Sequence, residues 1–281
     1  MQQIIDFLRL LRDNNNRPWF QEHKDMYLRC TEQFNDIARQ LIAGVEGFDE
    51  TVRGLQPKDC TYRIYRDLRF SPDKRPYKTH MGCYICPGGK KSGYVGYYFH
   101  IGVGDEGDDY PLGHMVAVGD YCYEPKVLQT LREDIAGGDG DFHRIVTEQC
   151  SPLFSLDQTG ALRRNPAGFP PDAPWPQYLR LKTFCLLYAP DDRFVTAPDA
   201  VDNIVTLFRS TLPFTRYINR AIQYTRPELC PPRRSKRHPA GTEVSRGRKK
   251  PPPPCSILRV PAFMKKEKML FPSRKKIIPS S

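Results

Sequence analysis

Tyr94-Val95-Gly96-Tyr97-Tyr98-Phe99-His100-Ile101-Gly102-Val103 reads as a strand, and three further segments share its texture: Cys60 to Phe70, Met81 to Cys86 and Met115 to Tyr123. Clusters of Gly, Pro and Asp separate them, so short reversals and antiparallel pairing are expected. Helical spacing appears on both sides of this block. Ile4, Phe7, Leu8 and Leu11 mark a short helix that stops at Asn14-Asn15-Asn16. Pro18 suits the first turn of a second, longer helix, whose buried face is Phe20, Tyr27, Phe34, Ile37 and Leu41. Downstream, Pro125 opens a helix through Ile135, and Phe142, Ile145, Val146 and Cys150 indicate another short one. The stretch Pro166 to Pro176 is irregular, and Tyr178 to Tyr188 fits strand or helix. Val201, Ile204, Val205 and Phe208 begin a terminal helical region interrupted at Pro213. The expected class is α+β, a mostly antiparallel sheet flanked by N- and C-terminal helices.

Charge divides the chain of 281 residues in two. Of 43 basic and 32 acidic residues, 15 and 2 fall in 231–281, leaving 28 and 30 in 1–230. The net charge of +11 therefore belongs to the tail, and the body is close to neutral. That removes the case for a basic nucleic-acid-binding fold. The tail carries Pro251-Pro252-Pro253-Pro254 between basic clusters and has no apolar periodicity, a composition expected to be disordered. The reading is one α+β domain over 1–226 and a Pro/Lys/Arg-rich extension over 227–281, read first as a dispensable addition and second as a polybasic arm for nucleic acid. No apolar run reaches membrane-span length, and Met1 to Leu11 contains Asp6 and Arg9 with no signal-cleavage site. Nine cysteines without secretory features point to reduced thiols and a cytoplasmic protein.

Within the neutral body one stretch is densely cationic: Arg63-Ile64-Tyr65-Arg66-Asp67-Leu68-Arg69-Phe70-Ser71-Pro72-Asp73-Lys74-Arg75-Pro76-Tyr77-Lys78. On a strand, Tyr62, Ile64, Arg66, Leu68 and Phe70 share one face, and Arg63, Tyr65, Asp67 and Arg69 the other. Asp67 is then expected between two guanidiniums, orienting them. Arg66, alone among apolar neighbours, needs an anionic partner. Lys74, Tyr77 and Lys78 follow a Ser-Pro-Asp turn that folds them back over the strand end. Such converging donors suit a phosphate or carboxylate, with Arg66 and Lys78 gripping it and Tyr77 supplying a hydroxyl. Two other readings stay open: a structural Arg/Asp network, and a surface that tracks nucleic-acid phosphates.

Other signals are weaker. Gly102-Val103-Gly104-Asp105-Glu106-Gly107 fits a dinucleotide fingerprint, but its acids and Pro111 deny it the helix that a pyrophosphate needs. An acidic hairpin loop is expected there. Cys83 and Cys86 fall on opposite faces of a strand and lack the further ligands a zinc site requires, so no metal and no cofactor is expected. His100 shares a face with Tyr98 and is a candidate acid or base beside the cationic cluster.

Arg63-x-x-Arg66-Asp67-x-Arg69-Phe70-x-x-Asp73-Lys74-x-x-Tyr77-Lys78 resembles the signature of a bacterial and fungal family, domain of unknown function 2461. The likeness extends to Asn15-Asn16-Arg17-x-Trp19-Phe20 with Lys24 and Tyr27, and to Tyr97-Tyr98-Phe99-His100-Ile101. It continues through Pro125 with Leu128, Arg132 and Ile135, then Arg164-Asn165-Pro166-x-Gly168-Phe169 and Leu179-Arg180-x-Lys182, and so covers about residues 3 to 226. The resemblance implies a shared domain and supplies no reaction. The candidate site is therefore Arg63, Arg66, Asp67, Arg69, Lys74, Tyr77 and Lys78, with Arg132, Arg180 and Lys182 joining from other elements and a small anion as partner.

Overall fold

The computed structural model describes residues 1–69, 73–104 and 113–227; the extension beyond, and the acidic loop expected after Gly104, lie outside the described residues. At its centre is a five-stranded antiparallel sheet in the order β1-β2-β3-β5-β4. The strands are β1 (His80–Ile85), β2 (Gly96–Gly102), β3 (Met115–Asp120), β4 (Ser155–Leu156) and β5 (Phe184–Tyr188). The first three form a meander; the chain then leaves through helices and returns with β5 against β3. β2 pairs antiparallel with β3, which the chain rejoins at Met115.

Register and alternation give the sheet two unlike faces. Met81, Cys83, Ile85, Tyr97, Phe99, Ile101, Val116, Val118, Phe184 and Leu186 share the apolar face. Helices cover it: α1 (Gln2–Asp13), α2 (Arg17–Glu22), α3 (Lys24–Glu46) and α4 (Pro57–Cys60) precede the sheet. Between β3 and β5 come α5 (Pro125–Gly137), α6 (Asp141–Arg144) and α7 (Pro176–Leu179), and after β5 come α8 (Asp192–Thr196), α9 (Ala200–Ser210) and α10 (Leu212–Thr225). Tyr97, for example, meets Phe208 of α9 at 5.3 Å, and Phe184 meets Phe142 of α6 edge-on at 5.5 Å. The other face carries His80, Gly82, Tyr84, Tyr98, His100, Met115, Ala117 and Cys185. It is polar and aromatic, and it forms the floor of the region considered below. Gly82 is required there, since a β-carbon would stand 2.8 Å from the Tyr98 hydroxyl lying across it.

Three expectations need correction, and one left open is resolved. The second helix is two: α2 ends at Glu22 with His23 as its C-cap, the ring and the N–H of His23 both bonding the Trp19 carbonyl, before α3 starts. The segment from Cys60 is not a ladder strand: after α4 it makes isolated bridges, Thr61 with Cys83 and Tyr65 with Tyr77. Pro76, which has no N–H, limits that pairing to a carbonyl that accepts from Arg66. Residues 178–188 are helix and then strand, α7 giving way to β5. Six cysteines are free and buried, as expected of reduced thiols, but Cys122 is disulfide-bonded. Pro213 does interrupt the terminal helices, standing in the first turn of α10, where its missing N–H costs nothing. No helix among the described residues is long and apolar enough to cross a membrane.

Candidate functional site

The cationic stretch is a hairpin arm beside β1. The Tyr62 N–H donates to the Gly82 carbonyl, Lys78 N–H to Ile64 and Arg66 N–H to Pro76. Side chains alternate as the sequence suggests: Arg63, Tyr65, Asp67 and Arg69 are exposed, while Tyr62, Ile64, Arg66 and Leu68 turn inward. The returning limb is fixed to the N-terminal helices. The Asn15 amide donates to the Tyr77 carbonyl at 3.0 Å, and its oxygen accepts the Tyr77 N–H at 3.1 Å. The Phe20 ring, on the helix capped by Asn16, stacks on Tyr77 at 3.9 Å. Tyr77 is thus a core residue, with burial raising its phenol pKa. The Asn-Asn-Arg-x-Trp-Phe and Tyr-Lys motifs belong together because one holds the other's backbone.

Within this frame the charges sort themselves differently from the sequence expectation. Among the described residues Asp67 binds Arg69 alone, through Nε at 2.9 Å and Nη2 at 2.6 Å. Those hydrogen bonds hold its exposed carboxyl down at about 2. Arg66 is oriented instead by Asp73, whose Oδ2 accepts from Nη1 at 2.6 Å. The same carboxylate takes Arg75 Nη2 at 2.7 Å and the Arg75 N–H at 3.0 Å. Burial works to raise the Asp73 pKa, but the Arg75 hydrogen bonds and the Arg66 charge outweigh it and lower the value to about 2. Strand alternation favoured Asp67; the orienting acid lies across the turn. Lys74 donates to the Leu68 carbonyl at 3.2 Å and closes the hairpin.

Lys78 is different. Its side chain is half-buried, and its ammonium has no ion pair or hydrogen bond among the described residues. It lies 5.6 Å from the centre of the Tyr62 ring. Burial first, then the neighbouring Arg63 and Arg66 charges, lowers its pKa to about 8. The Tyr62 hydroxyl is buried without a hydrogen-bond partner among the described residues, a state that costs about 1–3 kcal/mol. Lys90 approaches the same ring at 5.9 Å while donating to the Lys58 carbonyl. Among the described residues, the Tyr62 ring thus bears an unpartnered hydroxyl and lies beside an ammonium that has no carboxylate.

The floor beneath is imidazole. The His80 and His100 rings are 5.1 Å apart. His100 Nε2 donates to the Gly113 carbonyl at 2.9 Å, so Nδ1 accepts the Tyr98 hydroxyl at 3.0 Å. Burial lowers His100 to about 4, and it lowers His80 well below the usual range, with the His100, Lys78 and Arg66 charges adding to the effect. Both rings are neutral at neutral pH. His100 has each nitrogen engaged inside the protein.

The remaining predicted residues gather elsewhere. Buried Arg132 donates to the Leu181 carbonyl at 2.8 Å, and Arg180 Nε donates to the Asn165 side chain at 3.0 Å. Lys182 runs past Gly160. No hydrogen bond or ion pair among the described residues ties these three to the hairpin. Asp73, Tyr62 and Asn15 make contacts in this arrangement that sequence reasoning missed, although Asn15 and Asp73 stand inside the motifs. Two clefts of ≈ 320 Å³ lie away from the hairpin, one lined by Asp134, Asp141, His143, Trp175 and Arg220, the other by Gln33, Gln40 and Val195. Among the described residues no cluster of three or more His, Cys, Asp or Glu is placed to hold a metal ion.

Residues 3–217 match the model of a family described as "Conserved hypothetical protein (DUF2461)", and the chain belongs to that family. No curated protein and no solved structure matches it.

Proposed function

We propose that this protein binds a small anion, a phosphate or carboxylate group, at Lys78 and Arg66, with exposed Arg63 adding its positive charge from the outer side of the arm. The observation that carries the reading is the Lys78 ammonium, half-buried beside two guanidiniums and without a counter-charge among the described residues. A purely structural Arg/Asp network accounts for Arg66, Arg69 and Arg75, each paired with Asp67 or Asp73. It does not account for Lys78 or exposed Arg63. Like charges so placed repel one another, and a bound anion removes both that repulsion and the desolvation cost. The Arg66 fork, held by Asp73 through one nitrogen, keeps donors for a guest.

The test is thermal and denaturant unfolding of the full chain with and without inorganic phosphate or a dicarboxylate. The expected result is stabilisation that rises with the logarithm of anion concentration above the dissociation constant. Arg63→Ala weakens the effect and Lys78→Met abolishes it, both without loss of fold. Stabilisation by no small anion, or stabilisation unchanged in both variants, refutes the reading.

A further inference from the structure

Of the two clefts, the one at the end of α5 is walled by aromatic rings: Phe142 and His143 of α6, Trp175 at the start of α7 and Tyr217 of α10. We propose that this cleft binds a small organic cation, an alkylated ammonium in chemical class, with the Trp175 indole against the charged group and Asp134 as its counter-charge. The site is separate from the hairpin and does not depend on the anion reading.

The indole is held on the cleft wall at a cost to the backbone. Trp175 is the one non-glycine with positive φ among the described residues, at φ 57° and ψ 45°. It also precedes Pro176, whose ring pushes its neighbour toward extended backbone. Gly140 makes room for the indole: its own φ is 89°, and a β-carbon there would stand 2.8 Å from the Trp175 ring. His143 backs the indole, stacked at 4.5 Å with 23° between the planes, and its Nδ1 shares a hydrogen bond of 2.8 Å with the Tyr178 hydroxyl. Two residues in unusual backbone and a hydrogen-bonded imidazole thus fix one half-buried indole in place, a platform that needs no ordering when a guest arrives.

The charge around this platform is negative. Three carboxylates line the cleft, Glu133, Asp134 and Asp141, against one guanidinium, Arg220. Asp141 is paired with Arg144, and Glu133 accepts from the Gln129 amide, but Asp134 has no ion pair or hydrogen bond among the described residues. α5 ends here with no basic residue in its last turn, so the negative end of the helix dipole adds to the carboxylates. Arg220 lies over the Tyr217 ring at 5.1 Å, so one wall already carries a cation on an aromatic face. No cation among the described residues lies over Trp175, and indole is the strongest aromatic partner for one. The volume of ≈ 320 Å³ takes a molecule of choline's size whole.

The experiment is titration of the full chain with choline and, separately, with neohexyl alcohol, in which carbon replaces the charged nitrogen, at constant ionic strength. The chain holds two tryptophans, Trp19 and Trp175, so the indole N–H region of a nitrogen-labelled sample shows two peaks, assigned through Trp19→Phe. Choline is expected to shift the Trp175 peak saturably and to bind about tenfold more tightly than the alcohol. Asp134→Asn is expected to weaken choline binding by about threefold and to leave the alcohol unchanged. Trp175→Asn, which accepts left-handed backbone more readily, is expected to keep the fold and lose choline binding, read from the ligand's own NMR signals. Equal affinity for the two ligands overturns the proposal, as does a Trp175 peak that choline does not move saturably. So does choline binding that is undiminished in Asp134→Asn or survives in Trp175→Asn. Charged and uncharged ligands are compared on the unmodified sequence, so that comparison decides the matter even where a variant does not fold.

Discussion

Replacing Lys78 with Met should make the ligand-free protein more stable. A lysine whose pKa falls from its ordinary 10.5 to about 8 is disfavoured in the folded state by roughly 3 kcal/mol at neutral pH. Its side chain keeps some contact with solvent, so about 2 kcal/mol is the amount to expect in practice. Methionine retains the packing of the aliphatic stem over Tyr62 and removes the charge. For a domain of this size such a gain raises the midpoint of thermal unfolding by about 4–8 °C. The assay is urea unfolding of both proteins at pH 7 in a buffer free of phosphate and carboxylate, repeated near pH 10. The sign is fixed by linkage. The folded pKa lies below the unfolded one, so the penalty is complete below about 8 and vanishes as pH rises through 10.5; the two proteins should converge at high pH. A saturating anion should reverse the order at pH 7 by stabilising the original chain alone. A Lys78→Met protein less stable than the original at pH 7, with or without anion, refutes the claim that the ammonium is uncompensated.

Asp73→Asn should cost about 2–3 kcal/mol, because it strips two guanidiniums of their shared partner, whereas Asp67→Asn should leave the unfolding midpoint unchanged; equal effects in urea melts would restore Asp67 to the orienting role. Asn15→Ala should lose about 2 kcal/mol through the two hydrogen bonds to the Tyr77 backbone, and amide exchange at Tyr77 should quicken with it; an unchanged exchange rate would contradict the clamp. His100 binds protons more weakly folded than unfolded, so stability present above about pH 6.5 should be lost as pH falls toward 4, by about 2 kcal/mol at pH 5, with His80 acting in the same direction. A stability curve flat from pH 7 to about 4.5 would show that these imidazoles do not titrate as buried groups.

The α+β architecture was legible because apolar periodicity is local: Ile4, Phe7, Leu8 and Leu11 lie along one face of a single helix, and Met81 to Ile85 along a single strand. The hairpin's inward and outward sides followed from alternation alone, even where no ladder forms. What the sequence concealed is contact between distant segments. Asn15 reads as a helix stop, yet its side chain binds backbone 62 residues away. Asn219 does the same for Val95, across 124 residues. Polar side chains that clamp backbone leave no periodic trace. The choice of Asp67 over Asp73 failed for a related reason: alternation ranks neighbours along a strand, while Asp73 reaches Arg66 from the other limb of the hairpin. Arg132, Arg180 and Lys182 carried charge but no positional signal; the Leu181 carbonyl took up Arg132 and the half-buried Asn165 amide took up Arg180.

The most direct measurement is the titration of Lys78 itself, followed by NMR at the Cε and Nζ of the full chain with and without inorganic phosphate. The account predicts a midpoint near 8 that moves upward when phosphate is present, with one proton taken up per anion bound above that pH. A midpoint at the ordinary value for lysine, indifferent to phosphate, would mean that the ammonium is solvated and awaits nothing.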